Sequence, residues 1–123
     1  MKSLNLDIDD YHKAVEAFHS ETDRGAAVLA GSFVESYLAR YLRSFMIAGK
    51  DIENLFDGFG PFSTYSQRIE SAYAFSLITQ QQRTDLQTIG KVRNHLAHHP
   101  LEASFDKPPV IDWCHNLSTH SIF

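Results

Sequence analysis

The sequence predicts an all-α fold: a compact single-domain helical bundle over residues 1–123, with four main helices and short helices near 51–57 and at the C-terminus. Two observations carry this prediction. Apolar residues recur at spacings of three and four in several long segments, which places them on one face of a helix. No alternation of apolar and polar residues, typical of a strand, runs longer than a few residues. A chain of 123 residues also has the size of one domain.

The first two main helices are marked by their starts. One begins after Asp9 or Asp10 and runs through YHKAVEAFHSE, and the next begins with Thr22 or Asp23 as N-cap and continues to about Phe45. The second helix also carries small residues near its start, where another helix can approach closely. Its apolar face is formed by Ala27, Ala30, Val34, Tyr37, Leu38, Tyr41 and Phe45.

Glycine and proline in AGKDIENLFDGFGPFS interrupt any long helix, although DIENLF can form one or two helical turns. Ser63 or Thr64 then caps the third main helix, YSQRIESAYAFSLI, whose last turns over residues 75–78 are apolar nearly all round and are expected to be deeply buried. The short joint TQQQ leads to the fourth helix, RTDLQTIGKVRNHLAHH, which Pro100 ends. So short a joint predicts that these two helices are antiparallel neighbours.

The C-terminal part is predicted to be mostly irregular. SFDKPPVIDW should be extended, because Pro108 and Pro109 disfavour helix. IDWCHNLS is expected to form a short final helix that packs Trp113 and Leu117 against the bundle.

Composition excludes several classes of function. The net charge is −4 and the eleven Lys and Arg are scattered, whereas proteins that bind a DNA duplex usually present a basic face. The start, MKSLNLDIDD, turns acidic where a signal peptide turns apolar, and Cys114 is the single cysteine. No apolar run approaches a membrane span, and no phosphate-binding or other cofactor motif is found. The expectation is a soluble cytoplasmic protein without membrane, cofactor or direct DNA binding.

The segment KVRNHLAHHP concentrates the polar residues of interest. Arg93 follows Ile89 by four residues and precedes Leu96 by three, so it points into or beside the apolar stripe of its helix. A charge in that position needs a carboxylate or carbonyl partner, because an unpaired buried charge is very costly. This predicts a brace between helices. The candidate partners are Asp23 and Glu35, with Glu70 in reserve.

Two chemical interpretations of the same segment compete with the brace. Arg93, Asn94 and His98 are similar to the R-N-x-x-x-H signature of the all-α HEPN superfamily, many of whose members resemble metal-independent ribonucleases. In that interpretation these three residues are catalytic: the histidine moves a proton at the RNA 2′-OH and the arginine stabilises the developing negative charge. His95 and His99, one turn apart, could instead bind a metal ion, but no glutamate occupies the HExxH position and no metal site is assigned.

Apart from its first twenty and last ten residues, the chain resembles the mannitol operon repressor family of bacterial regulators. The blocks that carry the resemblance are TDRGAAVLAGSFVESYLARYL (22–42), FGPFSTYSQRIESAYAFSLI (59–78), IGKVRNHLAHH (89–99) and SFDKPPV (104–110). The resemblance implies a compact all-α domain that has no DNA-reading motif and affects transcription through protein partners. The signature polar positions that it implies are Asp23, Arg24, Glu35, Arg68, Arg93, Asn94 and His98.

These observations favour a non-enzymatic regulatory module, in which the signature residues fix the packing and line a protein-binding groove. The HEPN-like ribonuclease is the runner-up. A homodimer is a reasonable expectation as well, because Tyr37, Tyr41, Phe45 and the GFGPF loop supply more aromatic surface than a small bundle easily hides.

Overall fold

The computed structural model describes residues 9, 12, 13, 22–99 and 101–117 of the chain. Within them five helices follow one another and no strand occurs, so the predicted all-α class is confirmed. The predicted first helix falls largely outside the described residues; of its positions only Asp9, His12 and Lys13 are described, and they are helical. The five helices are α1 (Asp23–Arg43), α2 (Lys50–Asn54), α3 (Tyr65–Ala74), α4 (Gln80–His98) and α5 (Val110–His115).

Threonine side chains start the three long helices. Thr22 caps α1, where its hydroxyl accepts a hydrogen bond from the Gly25 amide. Thr64 and Thr79 begin α3 and α4 with complete capping boxes, in which a glutamine side chain three residues later accepts a hydrogen bond from the threonine amide. Each box satisfies two of the amide groups that a helix start leaves without an internal partner.

The prediction was wrong about where α3 ends and α4 begins. The helix α3 stops at Ala74 and not at residue 78, because Ser76 adopts a left-handed conformation (φ 59°) and the Leu77 amide donates back to the Ala72 carbonyl at 2.9 Å. This is the Schellman pattern of helix termination. As a result Phe75 is 65% exposed, although Ile78 is buried. The glutamines expected in the joint form the first turn of α4.

The C-terminal segment contains turns where an extended chain was predicted. Residues 104–109 form successive turns, with the Lys107 amide donating to the Ser104 carbonyl, and α5 follows at Val110. The predicted short final helix is confirmed by α5. The predicted one or two turns near 51–57 are confirmed by α2.

The core lies in two connected regions around the pair α1 and α4. The larger joins the C-terminal part of α1, α3 and the first half of α4, and it is built around residues that are almost fully buried: Leu38, Leu42, Ile69, Ala72 and Leu86. The smaller joins the N-terminal part of α1, the last half of α4 and α5 through Ala27, Val92, Leu96 and Val110. Helix α3 and helix α5 therefore cover different ends of the α1–α4 pair.

Side-chain contacts show the direction in which α3 runs relative to α4. The Tyr65 hydroxyl donates to the Leu86 carbonyl at 2.7 Å, and Glu70, one turn further along α3, pairs with Arg83, nearly one turn earlier on α4. The two helices are therefore antiparallel, as predicted. No helix in the described ranges is long and apolar enough to cross a membrane.

The exposed aromatic surface is smaller than the sequence indicated. Tyr37 and Tyr41 are each only 7% exposed, and the Tyr41 hydroxyl donates to the Leu77 carbonyl at 2.9 Å. Phe45 and Phe59 do face solvent. Fewer aromatic side chains than expected are therefore exposed for a homodimer contact.

Candidate functional site

The middle of the bundle is held by one carboxylate that two arginines share. Glu35 of α1 accepts a hydrogen bond from Arg93 of α4 on Oε2 (Nη1 to Oε2, 3.2 Å) and one from Arg68 of α3 on Oε1 (Nη1 to Oε1, 3.4 Å). The side chains of Arg68 and Arg93 are 13% and 21% exposed, and that of Glu35 is 30% exposed. Three helices therefore meet at one partly desolvated ionic cluster, which we call the Glu35 triad.

Backbone carbonyls and one amide complete the hydrogen bonding of the two arginines. Arg68 donates from Nε to the Phe62 carbonyl at 2.7 Å and from Nη2 to the Phe56 carbonyl at 3.5 Å. Arg93 donates from Nε to Oδ1 of Asn94 at 3.4 Å. These acceptors are neutral, so the Glu35 triad contains two positive charges and one negative charge.

A glycine gives Arg93 its path across α1. The aliphatic stem of Arg93 lies directly on Gly31: a Cβ atom built there would overlap Cδ of Arg93 and come within 3.2 Å of its Cγ. Gly31 is thus the point of close helix approach that the small residues of α1 predicted. Any larger residue would push the guanidinium away from Glu35, which lies one turn further along the same helix.

Tyr65 supports Arg93 from the side of α3. Its ring lies 5.1 Å from the Arg93 guanidinium carbon, within cation–π distance, and packs against Gly90. Burial raises the pKa of the Tyr65 hydroxyl above its usual value of 10.0; the nearby Arg93 lowers it and Glu35 raises it, both to a smaller degree. The hydroxyl therefore stays protonated and donates to the Leu86 carbonyl.

Of the three carboxylates predicted as partners of Arg93, the structure selects Glu35. Asp23 instead accepts a hydrogen bond from the Phe105 amide at 3.1 Å, which ties the start of α1 to the C-terminal segment. Glu70 accepts from Arg83 (Nε to Oε2, 2.9 Å) and from Gln87, and these bonds lower the pKa of its carboxyl. Sequence reasoning named Arg68 as a signature position but did not connect it with Arg93, and it did not identify Tyr65 as a support.

Asn94 lies at the edge of the Glu35 triad, and His98 lies apart from it. Both are exposed on the outer flank of α4, one turn from each other, as the helical spacing predicted. The Asn94 amide reaches Arg93, whereas no contact of the described residues joins His98 to the triad. In the segment KVRNHLAHHP, Arg93 is therefore paired with Glu35, whereas Asn94 and His98 form an exposed polar surface.

The remaining histidines of this segment form an aromatic contact. The rings of His95 and His99 lie 4.4 Å apart, and His95 meets Trp113 of α5 edge-on at 5.6 Å. Among the described residues no group of three or more His, Cys, Asp or Glu is placed to hold a metal ion.

Arg24 lies on an open part of α1. It helps to line a shallow depression of about 420 Å³ over the first turns of that helix, together with Thr22, Gly25, Val28, Leu29 and Ser32. Within residues 22–99 and 101–117 no carboxylate pairs with Arg24. A free guanidinium therefore lies beside partly exposed apolar surface.

Comparison of the chain with protein-family models, with curated proteins and with solved structures finds no match.

The overlap between Gly31 and Arg93 can be measured with a double-mutant cycle. Gly31→Ala should destabilise the protein by about 1–3 kcal/mol, because the added methyl group displaces the Arg93 stem. In an Arg93→Ala background the same change should be neutral or stabilise by up to about 1 kcal/mol, since alanine favours helix more than glycine does. Urea unfolding of the four proteins gives the four free energies. Equal effects of Gly31→Ala in both backgrounds would contradict the close contact.

The raised pKa of Tyr65 predicts a loss of stability at alkaline pH. The folded state holds the phenol neutral, so this stabilisation is complete below the unfolded-state value of 10.0 and declines as the pH rises above it toward the higher folded-state pKa. The free energy of unfolding should therefore fall more steeply above pH 10 in the wild type than in Tyr65→Phe. Tyr73→Phe, which alters an exposed tyrosine, is the matched control and should keep the wild-type slope.

Proposed function

We propose that this chain is a transcriptional regulator of the mannitol operon repressor type, which lacks a DNA-binding motif and acts through a protein partner. The observation that carries the proposal is that the residue blocks of the family resemblance are joined by their own polar signature residues. Glu35, Arg68 and Arg93 come from the first three blocks and meet in the Glu35 triad. Asp23 of the first block binds the Phe105 amide of the fourth.

The charge distribution supports action through protein rather than through DNA. The net charge is −4, and binding to a DNA duplex depends on positive charge that neutralises phosphates. The Glu35 triad uses its arginines to join helices, which fits a role in packing. The exposed signature residues, Arg24, Asn94 and His98, remain available to a partner. The proposed setting is the bacterial cytoplasm.

Transcript measurements test the regulatory proposal. Deletion of the gene in its bacterial host should change the transcripts of a small set of genes, with mannitol uptake and oxidation genes as the first candidates, and the wild-type gene should restore them. The purified chain alone should not shift promoter DNA of those genes at physiological salt. Unchanged transcripts, or a shift by the purified chain alone, would contradict the proposal.

A HEPN-like metal-independent ribonuclease that uses Arg93 and His98 is the second candidate. The observation that favours it is the exposed pair Asn94 and His98, one turn apart beside Arg93 on the last turns of α4. A histidine that is open to solvent can exchange a proton with an RNA 2′-OH, and the Arg93 side chain is 21% exposed.

The ribonuclease candidate makes its own prediction. Cleavage of single-stranded RNA in the presence of EDTA should be lost in His98→Ala, because the proton-transfer group is missing, while the circular dichroism spectrum is unchanged. General acid–base catalysis is worth about a hundredfold to ten-thousandfold, so the loss should be of that order. His115→Ala, which removes another exposed histidine, should retain full cleavage. No cleavage by the wild type excludes the candidate.

A further inference from the structure

One face of α1 carries an open depression over the first turns of the helix. Arg24, Val28, Gly31 and Glu35 follow one another at spacings of four, three and four residues, so they lie on one stripe of the helix. Helix α4 covers Gly31 through Arg93, and Arg68 of α3 reaches Glu35. Val28 is 40% exposed and lines the depression with Arg24 and Ser32. The stripe therefore runs from an open depression, lined by both polar and apolar residues, to the Glu35 triad.

Positive charge is in excess along this stripe. At one end two guanidinium groups share the single carboxylate of Glu35, and the remaining hydrogen bonds of the two arginines go to neutral acceptors. At the other end Arg24 is exposed, and no carboxylate in the described ranges pairs with it. About 10 Å of helix separates Arg24 from Gly31, because seven residues rise by 1.5 Å each.

We infer that this stripe, from Arg24 past Val28 to the partly exposed side chain of Arg93 with Asn94, is a docking groove for an acidic peptide segment of a protein partner. Carboxylates of the segment pair with Arg24 and with the outer edge of Arg93, whose planar fork suits a carboxylate. An apolar side chain between them covers Val28. The inference rests on the proposed action through a protein partner and names the chemistry of that partner.

Complementary charge selects a peptide over a nucleic acid. The excess charge on the stripe is local and small, and it is set in a chain of net charge −4 that repels a polyanion as a whole. The surface between the charges is apolar at Val28, and the described residues along it offer no exposed aromatic ring on which a base could stack, since Tyr65 is buried beneath Arg93. A short segment with separated carboxylates and an apolar residue matches these features.

Selection from a phage library of random short peptides tests the groove on the full chain. The enriched peptides should carry Asp or Glu beside apolar residues, and a synthetic copy of the most enriched peptide should bind in fluorescence anisotropy. Arg24→Glu should weaken its binding by about tenfold or more, because a like charge then faces the peptide. This change is compatible with folding, since acidic residues are favoured in the first turn of a helix.

Two further variants separate the groove from a general charge effect. Val28→Glu should weaken binding of the selected peptide by a similar factor. Phe75→Glu makes the same change of charge at an exposed apolar residue near the far end of the bundle and should alter binding by less than about twofold. Circular dichroism confirms that each variant is folded.

The outcomes discriminate among the possibilities. Enriched peptides without excess acid, equal loss in all three variants, or tighter binding of a single-stranded RNA than of the selected peptide would each overturn the groove. If the groove fails while gene deletion still changes transcripts, the regulatory proposal stands with another partner surface. If the transcripts do not change but the acidic peptide binds as described, the regulatory proposal fails and the groove remains.

Discussion

The carboxylate of Glu35 is the interaction on which the arrangement of the helices depends. Among the residues that the structure describes, it is the sole negative charge in the contact that joins α1, α3 and α4. Loss of either arginine leaves an ordinary ion pair, whereas loss of the carboxylate leaves two partly buried guanidinium groups without a negative partner in the triad. The net worth of such partly buried pairs is modest, because desolvation offsets much of the attraction, but breaking one is costly. Glu35 therefore specifies how three helices meet more than it adds to total stability.

The Glu35 triad depends on neighbouring residues that let the Arg93 side chain cross α1 closely. Arg93 reaches Glu35 across Gly31, and Tyr65 fills the space on the other side of the guanidinium, where Gly90 leaves room for its ring. The contact between Arg93 and Glu35 thus explains two glycines within helices. Gly31 makes room for the Arg93 stem, and Gly90 makes room for the Tyr65 ring that supports Arg93. Each glycine lowers helix stability by about 1 kcal/mol relative to alanine, and both occur where a side chain from another helix crosses.

Periodicity and capping residues were enough to predict the fold class, the course of α1 and the inward tilt of Arg93. They could not identify the partner of Arg93, because a helical wheel gives the face on which Glu35 and Asp23 lie but not the height at which another helix crosses. Arg68 was named as a signature position, but its contact with Glu35 was missed for a similar reason: two of its other acceptors are loop carbonyls of Phe56 and Phe62, which leave no pattern in the sequence. The early end of α3 was missed because Ser76 takes a left-handed conformation that glycine usually announces.

The capping boxes at the starts of α3 and α4 differ from the Glu35 triad in one respect that matters for solution conditions. Both boxes pair a threonine with a glutamine, Gln67 and Gln82, where glutamate is the common alternative. A neutral cap neither titrates nor is screened by salt, whereas attraction between charged groups weakens as ionic strength rises. At high ionic strength the more exposed pair of Glu70 with Arg83 should therefore weaken before the partly buried Glu35 triad, while the neutral first turns of α3 and α4 stay intact.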